Sequence, residues 1–66
     1  MTIKINGEMR EFENDVTLLD VIETLGLTDK VMAAAVNMNI IKQGNWGGAL
    51  LHDGDTVELL DFVGGG

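Results

Sequence analysis

Apolar and polar residues change rhythm several times along this chain, and each change marks an element. Ile3 and Ile5 alternate with Thr2, Lys4 and Asn6, the period of a half-buried strand. Asn6-Gly7 follows, the strongest short hairpin signal a sequence can carry. Met9 and Phe12 then supply the apolar content of a second short strand, among Glu8, Arg10 and Glu11. Asn14-Asp15 breaks that pattern, and Thr17 to Asp20 reads T-x-x-D, a capping box. Leu18, Val21, Ile22 and Leu25 fall at i, i+3, i+4 and i+7 on one helix face. Leu19 sits at the margin of that face, and Gly26 is placed to end the helix.

Val31 to Val36 is a short apolar run of low bulk, with Ala33, Ala34 and Ala35 at its middle. Periodicity cannot separate strand from helix in so short a run. A helix needs a sheet to lie against, and small alanines would let it approach closely, so a central strand is expected. Asn37-Met38-Asn39 reads as a turn, Ile40-Ile41 as a short strand, and Gln43 to Gly48 as a loop around Trp46. Asp53-Gly54-Asp55 is a tight turn before a last strand from Thr56 to Asp61. The order is β-β-α-β-β-β. The strands near the two ends carry strong β signals and are expected to pair mid-sheet. This α+β arrangement, a mixed sheet packed on one helix, is the β-grasp, with residues 1–63 as the domain and 64–66 as a flexible glycine tail.

With 66 residues the chain is one domain near the lower limit for a single core. It has no cysteine, so neither a disulfide nor a thiolate metal site can supplement that core, and its single histidine cannot build a cluster. Eleven Asp and Glu against four Lys and Arg give a net charge of −7. A field of that sign repels phosphate backbones and anionic lipid, so neither a nucleic-acid nor a membrane partner is expected. It favours a partner with a basic docking surface, although solubility alone would also explain it. No run reaches the roughly 20 apolar residues of a membrane span, and no signal-peptide segment opens the chain, so a cytoplasmic protein is expected.

Few side chains invite chemistry. His52 beside Asp53 suggests an acid–base pair, but neighbours at a turn rarely face each other, and no Ser or Cys nucleophile accompanies them. Asp53, Asp55, Glu58 and Asp61 lack the spacing of a calcium loop. Gly44-Asn45-Trp46-Gly47-Gly48 lacks the Lys-Ser/Thr ending of a phosphate loop, and Trp46 reads better as a lid on the core than as a binding residue. Met1, Met9, Met32 and Met38 read as core filler or exposed turn positions. No catalytic residue and no bound metal or cofactor is expected.

The segment after the last strand is different. Phe62 and Val63 are large apolar groups where the chain should be leaving the sheet, which suits docking to a partner. Gly64, Gly65 and Gly66 carry no side chain to bury and are costly to order. They suit an arm that enters a channel too narrow for any Cβ, with the α-carboxylate of Gly66 as its working group. A glycine linker of no function is the plainer alternative.

Ile5-Asn6-Gly7-Glu8, Thr17 to Gly26, Val36-Asn37, Trp46, Leu51 to Glu58 and Phe62 to Gly66 together resemble the ThiS family of thiamine-biosynthesis sulfur carriers, over essentially the whole chain. The Gly-Gly end and the Asp-Gly-Asp turn are shared with small subunits of molybdopterin synthase, so those two features mark only β-grasp sulfur carriers. The short length, the Asn-Gly-Glu start and the Trp46 loop point to the thiamine branch. Met38-Asn39 departs from the Gly-Glu that often follows the Asn in the family.

The resemblance implies a cycle in which the carrier is a substrate. A ThiF-like enzyme, using ATP and magnesium, would adenylate Gly66. Sulfur derived from cysteine through a desulfurase would then give a C-terminal thiocarboxylate. A ThiG-like thiazole synthase would take that sulfur. Gly64, Gly65 and Gly66 would enter the partner active site, with Phe62 and Val63 anchoring the arm. The rival readings are a MoaD-like molybdopterin synthase subunit and a ubiquitin-like modifier or interaction module.

Overall fold

The computed structural model describes residues 1–61, which form a five-stranded mixed sheet with one helix on one face. The strands are β1 (Thr2–Ile5), β2 (Glu8–Glu11), β3 (Val31–Val36), β4 (Asn39–Ile41) and β5 (Thr56–Asp61), in the order β2-β1-β5-β3-β4. The helix, α1, runs Leu18–Thr24. β1 and β5 pair in parallel at the middle, and the other pairings are antiparallel. The strands from the two ends of the sequence therefore lie side by side, as expected.

Local chemistry accounts for each boundary. Asn6 and Gly7 take φ of 49° and 87°, the left-handed pair that a two-residue hairpin between right-twisted strands requires. Thr17 and Asp20 close a reciprocal capping box: Thr17 Oγ1 accepts the Asp20 N–H at 3.2 Å, and Asp20 Oδ2 accepts the Thr17 N–H at 2.9 Å. At the other end Gly26 is left-handed, its N–H donates to Glu23, and the Leu27 N–H reaches back to Ile22. That pair of bonds is a Schellman motif. Leu25, expected on the apolar face of the helix, is its half-buried C-cap.

The core lies between α1 and the sheet. Ile3, Leu18, Val21, Ile22 and Val57 are fully buried, joined by Ile5, Val31, Ala34, Leu51 and Leu59. Each of the large aliphatic side chains contributes about 1.5–3 kcal/mol of transfer free energy. Ala34, the middle alanine, is buried in the core opposite Leu59.

Two expectations change. Gln43–Gly48 is a 3₁₀ helix, where a loop was expected. Trp46 fixes it: the indole is only 3% exposed and its Nε1–H donates to the Ile41 carbonyl at 2.9 Å. Neighbouring backbone bonds from Leu18 to Ala49 and from Leu51 to Val16 tie this connection to the start of α1. Trp46 is thus the core lid it was expected to be. The second change is in β2, whose four residues are all exposed. Met9 is 64% exposed and fills no core; Phe12, beyond the strand, is the residue that packs. Met32 is likewise exposed, at a register shift between Val31 and Ala33, whereas Met38 occupies the exposed turn and Met1 packs on the core.

Candidate functional site: the root of the C-terminal segment

Phe62, Val63, Gly64, Gly65 and Gly66, where sequence reasoning places the site, lie outside the described residues. The structure describes the platform that precedes them. Asp61 is the last residue of β5 and pairs with Val31 of β3. β5 is the central strand, held by β1 on one side and β3 on the other.

The hold from β1 is short, with only Lys4–Thr56 and Ile5–Val57 in register, and two residues prolong it. The Asn6 N–H donates to the Val57 carbonyl at 3.0 Å. The Asn6 carboxamide then takes the place of a further strand residue. Its Oδ1 accepts the Leu59 N–H at 2.8 Å, and its Nδ2 donates to the Leu59 carbonyl at 3.2 Å. β5 is therefore gripped to within two residues of Asp61.

At the opposite end of β5, Asp53-Gly54-Asp55 forms a polar knot. Asp53 Oδ1 accepts the Thr2 N–H at 2.7 Å, and the Gly54 N–H returns to the Thr2 carbonyl at 2.8 Å. Asp55 divides its carboxylate: Oδ2 accepts the His52 N–H at 2.8 Å and Oδ1 accepts from Asn37 Nδ2 at 3.0 Å. Asn37 Oδ1 in turn accepts the Thr56 N–H at 3.0 Å. Both carboxylates are thereby committed to fixing backbone. Charge-assisted bonds of this kind are roughly twice as strong as neutral ones.

The His52 ring lies 3.9 Å from Asp55, not Asp53, and its side chain is 75% exposed. That is a loose surface contact, with no nucleophile beside it. Among the described residues no three of His, Cys, Asp or Glu come together as a metal site. Among the same residues no helix is long and apolar enough to cross a membrane.

A model of the ThiS family matches residues 3–66. The chain belongs to the ThiS family. Two thiazole synthases, from Paramagnetospirillum magneticum and Magnetococcus marinus, are each 32% identical to it over all 66 residues. The chain spans only 20% of the length of these curated relatives. A crystal structure of the thiamine biosynthesis protein ThiS from Geobacter metallireducens superposes with a TM-score of 0.82 at 23% identity, covering the whole of both chains. That likeness shows the β-grasp fold.

The residues that carry the likeness to the ThiS family divide into two groups. Asn6, Gly7, Asn37, Trp46 and Asp53 to Asp55 build and tie the scaffold. The second group, Phe62 to Gly66, lies outside the described residues. Sequence reading missed the Asn6 grip on Leu59, because a hairpin dipeptide gives no sign of where its side chain bonds. It also missed an apolar patch on the face of the sheet turned away from α1. That one had a signal: Leu60 puts an apolar residue on the outward parity of β5, where alternation calls for a polar one.

Proposed function

We propose that this protein is a sulfur carrier for thiazole assembly in thiamine biosynthesis, acting through the α-carboxylate of Gly66. The observation that carries the reading is the match to the ThiS family, which runs through Gly66 itself. The thiazole synthases of similar sequence support the pathway, and favour it over a MoaD-like role in molybdopterin synthase.

A carboxylate is a poor electrophile at neutral pH. A ThiF-like adenylating enzyme, holding ATP and magnesium, supplies the activation: a Gly66 oxygen attacks the α-phosphate, pyrophosphate leaves, and an acyl-adenylate forms. A persulfide fed by a cysteine desulfurase displaces AMP from that carbonyl. A partner thiol then cleaves the resulting S–S bond, leaving a thiocarboxylate on the carrier and a disulfide on the partner. The thiocarboxylate is a soft nucleophile, available in a chain that has no cysteine. A ThiG-like thiazole synthase accepts its sulfur. The carrier contributes no acid, base or metal to these steps. It contributes position: a rigid β5 root, Phe62 and Val63 for docking, and Gly64 to Gly66 as a slim arm into cytoplasmic partners.

Intact-mass measurement tests the reading. Incubation with the adenylating enzyme, MgATP and a sulfur source should add about 16 Da, sulfur for oxygen, and fragmentation should map it to Gly66. Addition elsewhere, or none with a demonstrably active partner, rejects the carrier role.

A further inference from the structure

The sheet has two faces, and among the described residues only one is covered. On the face turned away from α1, Ala33 pairs with Leu60, and Ala35 pairs with Glu58 on one side and Ile40 on the other. Ile40 is 75% exposed and Leu60 is 55% exposed. The two alanines have almost no side chain, so they form a floor between taller walls. The result is an open groove of about 350 Å³ bounded by Ile40, Leu60 and Glu58. Exposed apolar groups gathered on one face of a soluble protein mark an interaction site more often than isolated ones do.

Three observations say what occupies it. Glu58 lines the groove and has no ion pair among the described residues, and the whole chain carries −7, so the occupant presents a cation beside its apolar group. Leu60 directly precedes Asp61, and the five residues from Phe62 to Gly66 span at most about 17 Å when extended. A surface seated in the groove therefore lies within reach of the place where Gly66 reacts. Sequence like this chain is also built into thiazole synthases, where it makes up 20% of one polypeptide.

Resting on the carrier reading above, we propose that the groove receives one protruding apolar side chain of the thiazole synthase, with a neighbouring Lys or Arg of that enzyme pairing with Glu58. The alanine floor makes this a matter of shape as well as hydrophobicity. A socket that accepts one large side chain is the arrangement from which interfaces draw most of their affinity.

The test is calorimetric titration of the full-length carrier against the thiazole synthase of the same organism. Ala35→Leu fills the groove, Ile40→Ser removes a wall, and Glu58→Lys reverses the charge. Each should raise Kd about tenfold or more. The Glu58→Lys effect should shrink as salt rises. Glu23→Lys, on the exposed side of α1, makes the same change in net charge and should move Kd far less. Thermal midpoints accompany every variant; should Ala35→Leu fail to fold, the 75% exposed Ile40 carries the test. Wild-type affinity in both Ile40→Ser and Glu58→Lys overturns the groove assignment. So does a loss confined to binding of the adenylating enzyme. If the wild-type carrier is adenylated yet never binds the synthase, the partner reading itself fails, and the groove assignment falls with it.

Discussion

The carboxamide of Asn6 and the backbone of Leu59, 53 residues apart, form a two-bond clasp that continues the β1–β5 ladder after β1 has ended. A side chain thus does the work of a strand residue, and it does so just before β5 delivers the chain to its C-terminal segment. Both bonds are part-buried, so deleting the carboxamide leaves the Leu59 N–H without a partner. That should cost about 1–3 kcal/mol. Asn6→Gly is the informative variant because glycine keeps the left-handed φ of 49° and removes the clasp, adding about 0.5–1 kcal/mol of unfolded-chain freedom to the loss. Denaturant unfolding should show a loss clearly larger than that glycine cost; a loss no larger would mean that the clasp contributes nothing.

Helix α1 offers a second measurement. Ile22 is fully buried, whereas Leu25 caps the helix and is only half-buried. Ile22→Ala should therefore cost about 2–5 kcal/mol, a large share of what a small domain has. Leu25→Ala should cost distinctly less. The buried indole of Trp46 reports both transitions, with emission shifting to the red on unfolding. Equal losses would place Leu25 in the core and contradict its exposure.

How far the sequence revealed this depended on the range over which each signal acts. The capping box at Thr17, the hairpin at Asn6-Gly7 and the helix stop at Gly26 are chemistry between near neighbours, and all three stand where their residues predict. The central pairing of β1 with β5 followed from the strong β signals of the two end strands. The Asn6–Leu59 clasp and the Asn37–Asp55 bond join residues 53 and 18 positions apart, and no local pattern encodes such partners. Gln43–Gly48 misled because its glycines and Asn45 signal a loop, while one buried tryptophan orders the whole segment. The candidate site divides in the same way: the residues from Phe62 onward were singled out from sequence, whereas the alanine-floored groove needed the register of β3 against β4 and β5.

The turn between β3 and β4 carries stored strain. Asn37 and Met38 both have positive φ, 50° and 72°. Asn tolerates that region, but methionine does not favour it, and the Met38 side chain is 90% exposed and gains little in return. Met38→Gly relieves the left-handed penalty of about 1–2 kcal/mol, offset by about 0.5–1 kcal/mol of added freedom in the unfolded chain. The variant should be more stable by a few tenths of a kcal/mol to about 1 kcal/mol, seen as a higher thermal midpoint. Destabilisation would show that Met38 packs in solution against something the turn geometry does not explain.

The arm permits the sharpest separation of stability from function. Glycines carry no side chain to bury, so deleting Gly65-Gly66 should leave the thermal midpoint almost unchanged. Gly65→Ala adds one methyl group and should leave the folded body equally unaffected. In the proposed adenylation step, however, the Gly66 carboxylate would have to reach the α-phosphate of ATP, and a Cβ one residue away would collide with the proposed narrow channel or remove φ values that glycine reaches freely. Misplacement by about 1 Å can cost about 100-fold in rate. Pyrophosphate exchange should therefore fall far more in Gly65→Ala than binding does. Phe62→Ala should show the reverse, weaker binding with near-normal exchange at saturating carrier. Measured side by side, the two variants distinguish entry from docking. Wild-type exchange by Gly65→Ala would remove the narrow-channel account of the three glycines while leaving the modification of Gly66 to be decided by mass.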